Sequence, residues 1–137
     1  WKSGVLAAYV LDSYALLAFL RNEPGCDFVS DLLHAADKGR HSLYMTEVNY
    51  AEVKYMLIRK HGEKAWRAHL EAFARLPIRY FSLTRELADI AAEFKAAHAL
   101  SLADACAASL ARFMSCPVVT GDPEFKSIAS EVIIHWI

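Results

Sequence analysis

The chain has 137 residues, 55% of them hydrophobic and 23% charged, and its formal net charge is −1 at pH 7. This length and apolar content predict one domain with a substantial core. The near-neutral charge argues against a protein that holds nucleic acid through an excess of Lys and Arg, because sequence-independent phosphate binding depends on such an excess. Any contact with nucleic acid is therefore expected to be local or carried by a metal.

Short apolar runs alternate with helical patterns along the chain. In chain order we predict a strand at 7–11, helices at 13–20 and 26–36, a strand at 42–45, helices at 46–60 and 63–76, a strand at 78–81, helices at 84–97 and 101–114, and strands at 118–120 and 132–136. This alternation predicts a three-layer α/β/α fold with a mainly parallel central sheet. Residues 1–8 are interpreted as an N-terminal extension, and residues 9–137 as a single domain.

Cysteine and histidine lack the spacing of zinc sites and disulfide frameworks. The three cysteines form no CxxC pair, which favours a reducing, cytoplasmic setting. The six histidines show no HExxH or Cys/His grouping, so zinc is not expected. The most apolar stretch, Val5 to Leu20, is interrupted by Asp12 and Ser13. It is too short and too polar to span a bilayer, and no membrane contact is expected.

Four acids occupy segments that are otherwise apolar. Asp12 ends the first predicted strand, and Asp122 follows the run 118–121. If these strands are parallel neighbours, both acids lie at the carboxyl edge of the sheet, where open α/β folds bind ligands. Glu52 and Asp104 lie in helices that should pack on the core. Carboxylates gathered away from bulk water raise each other's pKa, so a proton or a cation must offset their repulsion. The sequence therefore predicts a metal site with oxygen ligands.

Each acid also has a structural interpretation. Asp12 could cap the helix that follows it, and Asp104 could belong to a capping box that begins at Ser101. Glu52 could lie on a solvated helix face, and Asp122 could belong to a Gly-Asp-Pro turn. A sheet that brings all four acids toward one edge favours the metal site over these separate explanations.

From Tyr9 onward the chain resembles PIN domains, and specifically the ribonuclease toxins of VapC-type toxin–antitoxin pairs. The resemblance rests on four segments in the family's order, Tyr9-Val10-Leu11-Asp12-Ser13, Asn49-Tyr50-Ala51-Glu52-Val53, Leu102-Ala103-Asp104-Ala105 and Val119-Thr120-Gly121-Asp122-Pro123-Glu124-Phe125. It implies an acidic quartet that holds Mg²⁺ or Mn²⁺, formed by Asp12, Glu52, Asp104 and Asp122. It also implies a metal-dependent endoribonuclease that acts as a toxin.

Roles within the quartet follow from this resemblance and from the preference of Mg²⁺ and Mn²⁺ for oxygen ligands. Asp12, Asp104 and Asp122 are expected to bind the ion directly or through water, and Glu52 to orient or deprotonate the attacking water. Attack by water leaves the RNA 2′-hydroxyl unused. The expected products therefore carry 5′-phosphate and 3′-hydroxyl ends.

Neighbouring polar residues are expected to support these ligands. Ser13 and Thr120 place hydroxyls beside the two strand-end aspartates, and Glu124 is expected to act from the layer outside the ligands. Glu47, near the start of the helix that carries Glu52, is expected to be solvated. A basic stretch is a candidate contact for the RNA backbone, although it could equally be a solvated helix face; it comprises Lys54, Arg59, Lys60, Lys64 and Arg67.

The resemblance also implies partners. A small antitoxin protein is expected to lie across the helices near the acids, and a homodimer is expected as well. The receiving surface is predicted from aromatic and soft apolar side chains, any of which could instead belong to the core, namely Tyr14, Leu17, Tyr50, Tyr55 and Met56.

Other functions fit the sequence less well. A haloacid-dehalogenase-type phosphatase needs a second aspartate two residues after the first, where this chain has Tyr14, and a receiver-like signalling domain needs an adjacent acid pair after its first strand. A stand-alone RNA-processing PIN nuclease stays open, as does a PIN-like module that binds RNA or protein with weak catalysis.

Overall fold

The computed structural model describes residues 7–137, which form a five-stranded sheet between two layers of helices. The elements in chain order are β1 (Ala7–Leu11), α1 (Ser13–Leu20), α2 (Cys26–Asp37), β2 (His41–Thr46), α3 (Glu47–His61), α4 (Glu63–Ala74), β3 (Arg79–Phe81), α5 (Arg85–Ala97), α6 (Leu102–Met114), β4 (Val118–Thr120), a 3₁₀ helix (Pro123–Ile128) and β5 (Ile134–Trp136). All neighbouring strands are parallel. The predicted three-layer α/β/α fold is confirmed.

Strand β1 lies at the centre of the sheet, whose order is β3-β2-β1-β4-β5. The chain passes from β1 to β2 through α1 and α2, and from β3 to β4 through α5 and α6, which pack in separate core layers. The strand order therefore reverses beside β1. The carboxyl ends of β1 and β4 border the crevice where parallel sheets of this kind bind ligands.

Two apolar layers hold the sheet between the helices. Val10 and Val118 pack against α5 and α6, whereas Leu11 and Val119 pack against α1 to α4. Successive side chains of a strand point to opposite faces, so strands covered on both faces must be apolar throughout. This explains why β1 and β4 read as continuous apolar runs in the sequence.

Side-chain caps begin four of the six α-helices between residues 7 and 137. Asp12, Thr46, Thr84 and Ser101 each accept a hydrogen bond from a backbone N–H in the first turn of the helix that follows. Such caps replace hydrogen bonds that the first turn cannot make within the helix. The predicted helix starts therefore agree closely with the observed ones.

The C-terminal region differs from the prediction in two places. Residues 123–128 form a 3₁₀ helix, because Pro123 suits the first helical position and Asp122 caps it. Strand β5 begins at Ile134 instead of residue 132, since Val132 packs into the core beside α5 and α6.

The start of the described chain bears on the predicted domain boundary. Ala7 and Ala8 belong to β1 and pair with His41 and Ser42, so a boundary after residue 8 falls within this strand. Residues 1–6 of the predicted extension lie outside the described residues.

Between residues 7 and 137, no helix is both long enough and apolar enough to cross a membrane. Cys26, Cys106 and Cys116 are free thiols.

We predict that Phe94→Ala destabilises the fold by about 3–5 kcal/mol, because it leaves a cavity in the layer between the sheet, α5 and α6. Phe94 is 2% exposed in that layer. The matched control is Phe113→Ala, which removes a helical phenylalanine that is 47% exposed. Urea denaturation should show a much smaller loss for the control. Equal losses would contradict the assignment of the core.

Candidate metal centre

Asp12 lies directly after β1, at the point where the strand order reverses. It is 0% exposed, and its Oδ1 accepts a hydrogen bond from the backbone N–H of Ala15 at 2.8 Å. Its Oδ2 is buried and accepts no hydrogen bond of normal geometry from residues 7–137. Asp12 therefore caps α1 with one oxygen, as its structural interpretation requires, and leaves the other without a partner. A buried carboxylate oxygen left in this way is costly unless a proton or a cation satisfies it.

The pKa of Asp12 reflects the burial of its carboxylate. Burial raises the pKa from 3.8 to about 7, and the negative charges of Asp122 and Glu52 add to the rise. The nearby Thr120 hydroxyl and the hydrogen bond from the Ala15 N–H oppose it, because polar hydrogens close to a carboxylate favour its charged form. Asp12 thus lies close to the acids with which the sequence grouped it.

Asp104 lies in the first turn of α6 and is 5% exposed. Burial raises its pKa to about 8, and the charges of Asp122 and Asp12 contribute to the rise. The Ser101 hydroxyl accepts a hydrogen bond from the Asp104 N–H at 3.1 Å, as a capping box requires. The backbone N–H of Ser101, however, donates to Glu124 Oε1 at 2.9 Å. The box is therefore completed by Glu124, and the Asp104 carboxylate is left to face the other acids.

Asp122 and Glu124 come from the segment after β4. Asp122 Oδ1 accepts a hydrogen bond from the Glu124 N–H at 2.9 Å, and the Asp122 N–H donates to Thr120 Oγ1 at 3.0 Å. One carboxylate oxygen from each of Asp104, Asp122 and Glu124 lies within 4.8 Å of the others. Glu124, predicted outside the ligand layer, thus places its carboxylate beside two predicted ligands.

Glu52 lies on α3 and is half-buried. Its Oε1 accepts a hydrogen bond from the Ser13 hydroxyl, which joins α3 to the first residue of α1. Its charge also acts on Asp12. Glu47 on the same helix is exposed and accepts a hydrogen bond from the Ser82 hydroxyl at 2.7 Å, away from these acids. The two glutamates therefore have different hydrogen-bond partners, Ser13 for Glu52 and Ser82 for Glu47.

Asn49 is a buried polar residue of the site region for which the sequence predicted no role of its own. Its Nδ2 donates to the carbonyl oxygen of Ala103 at 3.2 Å, next to Asp104, and its backbone N–H is capped by the Thr46 hydroxyl at 3.0 Å. Asn49 thereby ties the start of α3 to the start of α6. Its spacing of three residues from Thr46 was the available signal, because that spacing is typical of a helix cap.

The surface predicted to receive an antitoxin is only partly exposed. Tyr14 and Tyr55 are 42% and 45% exposed, as expected. The expectation was wrong for Leu17, which is 5% exposed and lies in the core, because α1 buries this side against the sheet and its neighbouring helices. The ring of Tyr50 packs among other rings, namely Trp66, Phe73 and Tyr80.

Several solved structures share this architecture. DNA-bound VapBC from Salmonella typhimurium has a TM-score of 0.75 and 17% identity, with 94% of this chain and 97% of that chain covered. VapBC2 from Rickettsia felis, bound to a DNA fragment from its promoter, has a TM-score of 0.74 and 16% identity over 93% and 97% of the two chains. VapC20 of Mycobacterium tuberculosis, a sarcin-ricin loop cleaving toxin, has a TM-score of 0.70 and 17% identity over 91% and 96%.

These identities are low enough that the structural likeness establishes the fold alone. No protein of curated function matches the chain in sequence. The family is established independently, because the family model of the PIN domain matches residues 9–131, which is most of the chain. The segments at Asp12, Glu52, Asp104 and Asp122 all lie within that match. The chain belongs to the PIN domain family.

Proposed function

We propose that this chain is a divalent-cation-dependent endoribonuclease and the toxin of a toxin–antitoxin pair. The observation that carries the proposal is the buried, unpartnered Oδ2 of Asp12 beside a cluster of further carboxylates. Burying carboxylates close together costs free energy of folding when no cation is present, so such an arrangement is expected where the protein binds a cation. Membership of the PIN family and the likeness to VapBC proteins support the reaction class.

The donor set fits Mg²⁺ or Mn²⁺, which prefer oxygen ligands and keep part of their water shell. We propose that Asp12, Asp104 and Asp122 hold the ion directly or through water. Glu124 is placed to assist them, since its carboxylate is grouped with those of Asp104 and Asp122. Thr120 would support the site from outside, since its hydroxyl accepts a hydrogen bond from the Asp122 N–H and lowers the pKa of Asp12.

The proposed reaction combines the chemistry of a bound cation with the side chains around it. A divalent cation supplies positive charge that polarises a phosphodiester and makes water more acidic. Glu52, held at Oε1 by Ser13, would accept the proton of the attacking water. The oxygen of that water would form a new bond to phosphorus as the bond from phosphorus to the 3′ oxygen breaks, and the 3′ oxygen would take up a proton from solvent. The RNA 2′-hydroxyl takes no part. Products with 5′-phosphate and 3′-hydroxyl ends follow.

An apolar groove of about 660 Å³ between α1, α3 and α4 is the proposed seat of the antitoxin. Its walls include Phe19 and Leu20 of α1, Leu57 of α3 and Trp66 of α4. An amphipathic helix binds such a groove through side chains at helical spacing. The VapBC likeness supports a small protein partner as the occupant. A cytoplasmic location and self-association as a homodimer stay predictions.

We predict that Glu52→Gln and Asp104→Asn each lower the rate of RNA cleavage at least about 100-fold. Loss of a positioned proton acceptor usually lowers a rate by this factor or more, and we expect the same for loss of a charged ligand. Neither change alters side-chain volume much, so the fold should survive. The matched control is Glu47→Gln on the same helix, which should cleave at the wild-type rate. Cleavage of RNA in excess EDTA, or full activity in both site variants, would refute the mechanism.

The raised pKa values predict how charge removal affects the metal-free protein. Asp12 and Asp104 hold protons more tightly in the folded than in the unfolded state, with folded pKa values of about 7 and about 8. Their contribution to stability is therefore complete below about pH 4 and is lost as pH rises toward 8. Asp104→Asn avoids this loss. Its melting temperature should exceed that of wild type by about 5 °C at pH 8.5 and match it near pH 4.

Calorimetry with and without Mn²⁺ checks this prediction. Wild type should be stabilised by Mn²⁺ at pH 8, and Asp104→Asn should respond much less, because ligand binding stabilises only a fold that contains the site. Asp89→Asn, an exposed acid on α5, is the control and should behave as wild type. A wild-type protein that does not respond to Mn²⁺ would remove the basis for the proposed centre.

We predict that co-expression with a small protein encoded beside this chain yields a stable complex that suppresses cleavage. Leu20→Glu should weaken the complex, because it places a charge in the apolar groove, while cleavage by the isolated chain persists. Leu70→Glu is the matched control, as Leu70 is 46% exposed on α4 and does not line the groove. An active, non-toxic protein encoded without such a partner would favour a stand-alone RNA-processing nuclease.

A further inference from the structure

Tyr14 is an exposed aromatic side chain beside the acid cluster, and the proposed reaction does not use it. It follows Asp12 and Ser13 at the start of α1, where Ser13 donates its hydrogen bond to Glu52. Its side chain is 42% exposed although it stands next to two buried residues. Tyr14 thus lies two residues after Asp12 with much of its ring open to solvent.

The Tyr14 ring rests on the backbone of Gly121, the residue before Asp122. A Cβ atom at Gly121 would lie 2.4 Å from Tyr14 Cε1 and 2.6 Å from Tyr14 Cζ, so only glycine leaves room for the ring. Tyr14 thus bridges the two strand-end loops that carry Asp12 and Asp122. Its place is set by backbone contact, while much of its surface stays open to solvent.

The other tyrosines have different surroundings. Four of them pack their rings against other aromatic rings, namely Tyr9, Tyr44, Tyr50 and Tyr80. Tyr55 is exposed on α3, but the Arg59 guanidinium lies 5.0 Å from its ring centroid. Tyr14 is therefore the tyrosine whose position combines exposure with contact to both acid-bearing loops.

We propose that Tyr14 stacks on the base of a nucleotide next to the cleaved phosphodiester and thereby strengthens the binding of single-stranded RNA. This inference rests on the proposed nuclease function. A phosphate held at the acids places the adjoining base at the rim, where an aromatic ring binds any base through its π-face. Bases of a duplex are stacked on one another and are not free to make this contact. Tyr14 would therefore bind substrate without taking part in bond cleavage.

The first test compares aromatic with non-aromatic side chains at position 14. With a fluorescent single-stranded RNA and Mn²⁺, Tyr14→Leu should raise KM about 10-fold with little change in kcat, whereas Tyr14→Phe should keep the wild-type KM. Tyr14→Met gives a second non-aromatic variant should the leucine variant melt at a lower temperature. Phe113→Leu, an exposed phenylalanine near the far end of α6, is the control and should leave both constants unchanged.

The second test locates the stacked base. One abasic nucleotide is moved along the same RNA, and KM is measured for wild type and Tyr14→Leu. At one position next to the cut, the abasic site should raise KM for wild type but not for the variant, since both changes remove the same contact.

The outcomes separate the two proposals. If wild type does not cleave RNA with Mg²⁺ or Mn²⁺, the proposed function fails and the stacking role with it. If wild type cleaves and Tyr14→Leu has the wild-type KM, or if the abasic effects are additive at every position, the stacking role alone is overturned. A leucine variant that loses only the antitoxin complex would likewise overturn it, by assigning the exposed ring to a protein contact.

Discussion

The main constraint on this structure is the repulsion among carboxylates that the fold brings together at one edge of a parallel sheet. The rest of the fold must be stable enough to overcome it. Asp12 and Asp104 are buried; this burial, together with the charges of the neighbouring acids, raises their pKa values to about 7 and about 8. Such an arrangement opposes folding unless protons or a cation compensate it. The surrounding apolar layers must therefore supply enough stability to hold these acids in place.

The backbone shares the task of positioning the acids. Asp12 caps α1 with one carboxylate oxygen, and Asp122 caps the 3₁₀ helix in the same way. These hydrogen bonds fix the orientation of both side chains before any ligand binds. Glu124 occupies the Ser101 N–H and frees the carboxylate of Asp104. A residue can thus be structural and functional at once, because a carboxylate has two oxygens that can serve different partners.

Much of the fold could be predicted from the sequence, since the spacing of apolar residues and the helix-capping residues are local signals. The apolar runs at β1 and β4 and the caps at Thr46 and Ser101 placed the elements closely. The contacts of Asn49 with Ala103 and of Glu124 with Ser101 could not be predicted, because each joins residues that are distant in sequence. Leu17 was misplaced for a related reason, since helical spacing alone does not show how many sides of α1 are covered.

The central place of β1 in the sheet has a consequence for the order of folding. The site's acids run from Asp12 to Glu124, and β1 meets β4 only when nearly the whole chain is available. Contacts between residues so distant in sequence form late, because long loops must close first. A growing chain that ends before β4 thus contains Asp12, Glu52 and Asp104 but has no crevice between β1 and β4. During synthesis, the acid cluster can therefore assemble only after almost the entire domain has emerged from the ribosome.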